Sequence, residues 1–250
     1  MRQEQHRSRR RTSRCNRQGR HYAILEYLVL PAGPLLNFDV RPRDGIVTAT
    51  DHGRFEYLAQ GVAERLPHGP RLAVLGSTDF WHADSKCTCT EAGRLLAGLP
   101  GLVLLTGGVE GIGEAVGRSF FQTRRAAGEE PLVYHVLPEG EAPWDYGETL
   151  FAGSDMTERR EVLGRLARLY LLVEGGPRAG HEVDVASALG AVILPVGRSG
   201  GYAATLYDRL SRPAVIDAAT WAVLGSSAST PEETARAVLQ AVRACVGMSA

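Results

Sequence analysis

Four apolar runs, each closed by a glycine-rich turn, constrain this chain more than any other feature. Leu72-Ala73-Val74-Leu75 ends at Gly76-Ser77-Thr78, and Leu102-Val103-Leu104-Leu105 ends at Thr106-Gly107-Gly108, continuing through Gly111-Ile112-Gly113. Leu169–Val173 ends at Glu174-Gly175-Gly176, and Ala191–Val196 at Gly197-Arg198-Ser199-Gly200-Gly201. A further run, Leu132–Leu137, closes at Pro138. Short apolar runs without alternation read as strands buried on both faces, and such strands belong to parallel sheets covered by helices. Helical spacing and cap residues predict helices over about 90–97 and 112–125, and a third opened by Asp155 with a capping box to Glu158. Two more run from His181 to Gly190 and over 231–246, the latter capped by Thr230. The reading is α/β: a Rossmann-like, doubly wound parallel sheet in a single domain over 71–250. Ligands of such sheets sit at the carboxyl ends of the strands, where all four glycine turns fall. The loop 138–153, with Pro138, Pro143 and several glycines, reads as a binding loop.

Ahead of that domain the pattern is weaker. Arg2, Arg7, Arg9, Arg10, Arg11, Arg14, Arg17 and Arg20 crowd residues 1–20 against a single acid, Glu4. A block of like charge buries no core and reads as a solvated, disordered tail, the one place where nucleic acid could be touched. No apolar h-region follows it, so it does not read as a secretory signal. Residues 21–70, broken by Pro31, Pro34, Pro42, Pro67 and Pro70, read as an irregular lead-in with one amphipathic helix near 55–66.

Absences exclude several function classes. Lys86 is the only lysine, so there is no Gly-Lys-Ser/Thr phosphate loop, and a lysine in a polar stretch is a poor Schiff-base candidate for pyridoxal phosphate. Cys15, Cys87, Cys89 and Cys245 form neither a disulfide framework nor zinc-ligand spacing; they read as free thiols of a reducing, cytoplasmic compartment. No apolar stretch approaches the ~18 residues that span a bilayer, so no membrane partner is expected. Thr106-Gly107-Gly108-Val109-Glu110-Gly111-Ile112-Gly113 fits the glycine turn of short-chain dehydrogenases. That chemistry needs a tyrosine with a lysine four residues on, and no tyrosine here has one.

Taken together, the ordered motifs resemble those of the SLOG superfamily, which includes the LOG-type cytokinin riboside monophosphate phosphoribohydrolases often misnamed lysine decarboxylases. Gly76-Ser77-Thr78 looks like the family's G-S-S, and the turn at Gly107, Gly108 and Gly111 like its G-G-G-x-x-G. Met156-Thr157-Glu158-Arg159-Arg160 looks like M-H-E-R-K, and Glu174 through Glu182 like P-G-G-x-G-T-x-x-E. There are two departures. Arg178-Ala179 stands for the Gly-Thr that helps hold phosphate, and Glu174 stands for the leading proline. Leu194-Pro195 through Gly200-Gly201 is also similar to SLOG ligand-sensing domains such as those at the front of TRPM channels, which bind nucleotides and need not cleave them.

The resemblance implies a nucleotide-type small-molecule ligand, a homo-oligomer and no resident cofactor, with Mg²⁺ entering only alongside a phosphate ligand. It implies catalytic roles for Glu182 and Arg159 in hydrolysing the N-glycosidic bond of a nucleoside 5′-monophosphate. The carboxylate would stabilise an oxocarbenium-like state, and the arginine would hold phosphate or base. The alternative is a sensor of a nucleotide or ADP-ribose-like ligand that does not cleave it. Under either reading the ligand-binding residues are Gly76, Ser77, Gly107, Gly108, Gly111, Gly175, Gly176, Arg178, Gly180, Ser199, Gly200 and Gly201, with no metal ligands. His181 is weighed as a proton donor, and Trp81, Trp144 or Tyr146 as a base-stacking or rim-packing ring.

Overall fold

The computed structural model describes residues 49–247, with side chains from Gly53 onward; the basic tail and most of the lead-in lie outside the described residues. The described residues fall within one compact unit. Its elements are α1 (Ala49–Ala63), β1 (Arg71–Gly76), α2 (Ser85–Leu96), β2 (Val103–Thr106), α3 (Ile112–Ala126), β3 (Val133–Leu137), β4 (Glu148–Phe151) and α4 (Met156–Leu163). There follow β5 (Leu169–Val173), α5 (Pro177–Ala188), β6 (Val192–Val196), α6 (Gly201–Arg209), α7 (Ala218–Gly225) and α8 (Pro231–Val246).

The six strands lie in the order β4-β3-β2-β1-β5-β6, and every neighbouring pair is parallel. The chain winds outward from β1 in one direction and then restarts at β5 on its other side. The crevice between β1 and β5 is therefore the topological switch point. Their register is level at the carboxyl ends, with Gly76 opposite Val173, so Ser77 and Glu174 emerge side by side.

Alternation within the strands builds two cores. Leu72 and Val74 face a layer formed by α2, α3, α7 and α8. Ala73 and Leu75 face a layer formed by α1, α4, α5 and α6. Burial on both faces explains why the strands read as unbroken apolar runs.

Several boundaries differ from the sequence reading. The lead-in helix starts at Ala49 rather than near Phe55, and its Ala59 and Val62 join the second core. The loop 138–153 contains a strand, β4, whose burial alternates weakly over four residues and whose single fully buried side chain is Leu150. Helix α5 begins at Pro177, four residues before His181, because proline is suited to the first helical position. At α4 the cap is Asp155, accepting from Thr157 N and Glu158 N at 2.7 and 2.9 Å. The Glu158 carboxylate, however, reaches back to Ser154 N at 2.8 Å rather than to Asp155, so no reciprocal box closes.

Candidate functional site

Two polar clusters form at the carboxyl ends of the strands. In the first, Arg159 of α4 meets Glu182 of α5. Arg159 is 3% exposed and Glu182 7%. The Arg159 guanidinium donates through Nη1 to Glu182 Oε1 and through Nη2 to the carbonyl of Gly107 at 2.5 Å. A Cβ at position 107 would stand inside that guanidinium, so only glycine admits the arginine there. Burial pushes the Glu182 carboxyl above the usual range, against the pull of Arg159. The guanidinium keeps its proton throughout, so it can attract and orient but cannot act as an acid. Its Nε–H has no partner among the described residues, an unmet donor of a kind that costs about 1–3 kcal/mol when buried.

The second cluster surrounds Glu174, which is fully buried and is the one non-glycine described residue with positive φ, at 55°. Its carboxylate accepts from the Ser77 hydroxyl, from Trp81 N at 3.0 Å and from His82 N at 2.9 Å. Its own N–H donates to Ser199 Oγ at 2.7 Å, and Ser199 in turn donates to the Val196 carbonyl at 2.7 Å. The Glu174 carboxylate thus joins the ends of β1 and β5, and the Ser199 hydroxyl joins the ends of β5 and β6. Beside them, Trp81 is 57% exposed. A Cβ on Gly201 would come within 2.9 Å of it and one on Gly176 within 3.5 Å, so the glycine turns make its seat. Arg198 Nη2 holds Asp84 at 2.8 Å across the same loop, and its buried Nε–H also lacks a partner among the described residues.

The remaining sequence-predicted residues are placed as follows. Gly76 ends β1, Gly108 and Gly111 line the β2–α3 turn, and Gly175 lies between β5 and α5. Gly200 caps α6, and Gly180 is buried against the Tyr202 ring. Arg178 is exposed in the first turn of α5, apart from both clusters. His181 turns to Glu161, with Nε2 2.8 Å from Oε1. That bond raises the histidine's pKa, while His181 and Arg165 hold the Glu161 carboxyl low despite its burial. Trp144 and Tyr146 precede the amino end of β4 and pack with His135, whose ring lies 5.4 Å from Trp144 and 4.6 Å from Tyr146. Of the three weighed aromatics, Trp81 alone lies over the glycine turns.

Sequence reasoning passed over Arg198 and the role of Glu174. Arg198 sits inside the fourth glycine turn, and Glu174 replaces the leading proline of the motif whose Gly-Thr is also replaced, by Arg178-Ala179. Both signals were present, but neither shows its partner in sequence. Among the described residues no group of His, Cys, Asp and Glu could hold a metal ion, and no helix is long and apolar enough to cross a membrane.

No protein-family model and no curated protein matches the chain. Solved structures do. TM1055, a protein of LOG/SLOG-type fold, is 26% identical with a TM-score of 0.50, the match covering 57% of this chain and 83% of that one. The molybdenum cofactor carrier protein of Chlamydomonas reinhardtii is 20% identical over 50% of this chain and 75% of that one, with a TM-score of 0.43. The molybdenum cofactor binding protein of Rippkaea orientalis is 22% identical over the same shares, with a TM-score of 0.42. The likeness to TM1055 bears out the SLOG resemblance at the level of the fold, with its six-stranded parallel sheet flanked by helices.

Proposed function

We propose that this chain binds a nucleotide-type ligand, a nucleoside 5′-monophosphate or a close derivative, in the crevice at the carboxyl ends of β1, β2, β5 and β6. The observation that carries this reading is the pair of buried guanidinium groups at those ends, Arg159 and Arg198, each with an unmet Nε–H. Buried donors left without partners are costly in the free protein and are repaid by a ligand's acceptors. Arg178 and the N–H groups of the first turn of α5 are the natural seat for phosphate, since a helix start leaves donors unpaired and favours negative charge. Trp81, seated against Gly176 and Gly201 and more than half exposed, suits a planar base.

A second reading, hydrolysis of the N-glycosidic bond, is favoured by Glu182. A buried carboxylate held beside a fixed guanidinium can stabilise an oxocarbenium-like centre and orient water toward it. This requires Arg159 to exchange its bond to Glu182 for one to the ligand. A thermal-shift screen of nucleotides, with chromatography of each mixture, tests both readings. Stabilisation by a monophosphate recovered intact supports binding alone, and free base in the mixture supports hydrolysis. A chain that no nucleotide stabilises would overturn both.

A further inference from the structure

We propose that the fold builds an anion cradle at the β1–β5 switch point, that the Glu174 carboxylate fills it from within, and that this internal anion bars phosphate from it. The cradle consists of the N–H groups of Trp81 and His82, both aimed at Oε1, and the Ser77 hydroxyl on Oε2. Consecutive backbone N–H groups converging on one oxygen form the kind of concavity that takes anions. The occupant is costly to keep there. A non-glycine residue at φ 55° bears strain of about 1–3 kcal/mol, and a carboxylate with no exposed surface has lost its hydration. Glycine would make the same turn without strain, so backbone geometry does not require glutamate. What the glutamate adds is a charge whose two oxygens use all three donors. A phosphate oxygen would need those same donors and would meet a like charge at contact distance. This deepens the reading above by implying that a ligand's phosphate lies further out, toward Arg178.

The test needs no nucleotide. Inorganic phosphate is titrated into the wild-type chain and into Glu174→Gly and Glu174→Asn, both of which suit a positive φ. Binding is followed by phosphorus NMR and by unfolding temperature, the wild type reporting the general stabilising effect of the salt. Both variants are expected to bind phosphate saturably and at least about tenfold more tightly than the wild type. Variants that fail to fold alone but fold when phosphate is added would support the proposal equally. Phosphate responses identical in all three chains would overturn it, as would unfolded variants that phosphate does not restore. Rescue by formate but not phosphate would also overturn it, because the cradle would then admit only a carboxylate.

Discussion

Arg159 and Glu182 stand in for water around each other, and neither has a substitute. Arg159→Ala leaves a carboxylate buried without its counter-charge, a change expected to cost about 3–5 kcal/mol in urea unfolding. Replacing both with leucine should recover most of that loss; a double variant as unstable as the single one would show that the pair is not the source. His135 sets a pH dependence of definite sign. Its Nδ1 meets the Thr106 hydroxyl at 2.7 Å and its Nε2–H donates to the Tyr146 carbonyl at 2.9 Å. Burial lowers its pKa from 6.5 to about 4. Between those values the unfolded chain takes up a proton that the folded chain refuses, so stability falls as pH drops through that window. His135→Gln should remove up to about 1.4 kcal/mol per pH unit from the slope. An unchanged slope would mean that His135 is not buried as neutral imidazole. His181 acts in the opposite sense. Its raised pKa gives stability that is complete below 6.5 and is lost as pH rises through the folded value.

Helices and strands differ in how plainly the sequence announces them. Helix α8 carries its boundaries in local chemistry: Thr230 Oγ1 accepts from Glu233 N at 3.2 Å, and Glu233 Oε2 accepts from Thr230 N at 2.8 Å. Thr230→Ala is expected to cost about 1 kcal/mol, measured as a lower unfolding midpoint with an unchanged denaturant slope. The buried strands were legible because their apolar runs are too short for helices and are bounded by glycine and proline turns. Strand β4 was not, because an edge strand with one fully buried residue has no such pattern; its place is fixed by pairing with β3, a tertiary event. The site was legible to the same degree. Glycine turns are local, so their positions could be read. The bond from Arg159 to Gly107 spans 52 residues and that from Ser77 to Glu174 spans 97, distances at which sequence shows the parts without the contact.

At the scale of the molecule, the switch between β1 and β5 gathers these parts. It brings the two unmet arginine donors, the seated indole and the first turn of α5 to one end of one sheet. Arg178 separates binding from stability, because it is exposed and takes no part in the hydrogen bonds of the two buried clusters. The most direct test is calorimetric titration of nucleoside 5′-monophosphates into the wild-type chain and into Arg178→Ala. Saturable binding by the wild type, weakened about tenfold or more in a variant of unchanged unfolding temperature, is the expected result. Absence of binding by the wild type, or equal binding by both, would contradict a phosphate seat at the start of α5.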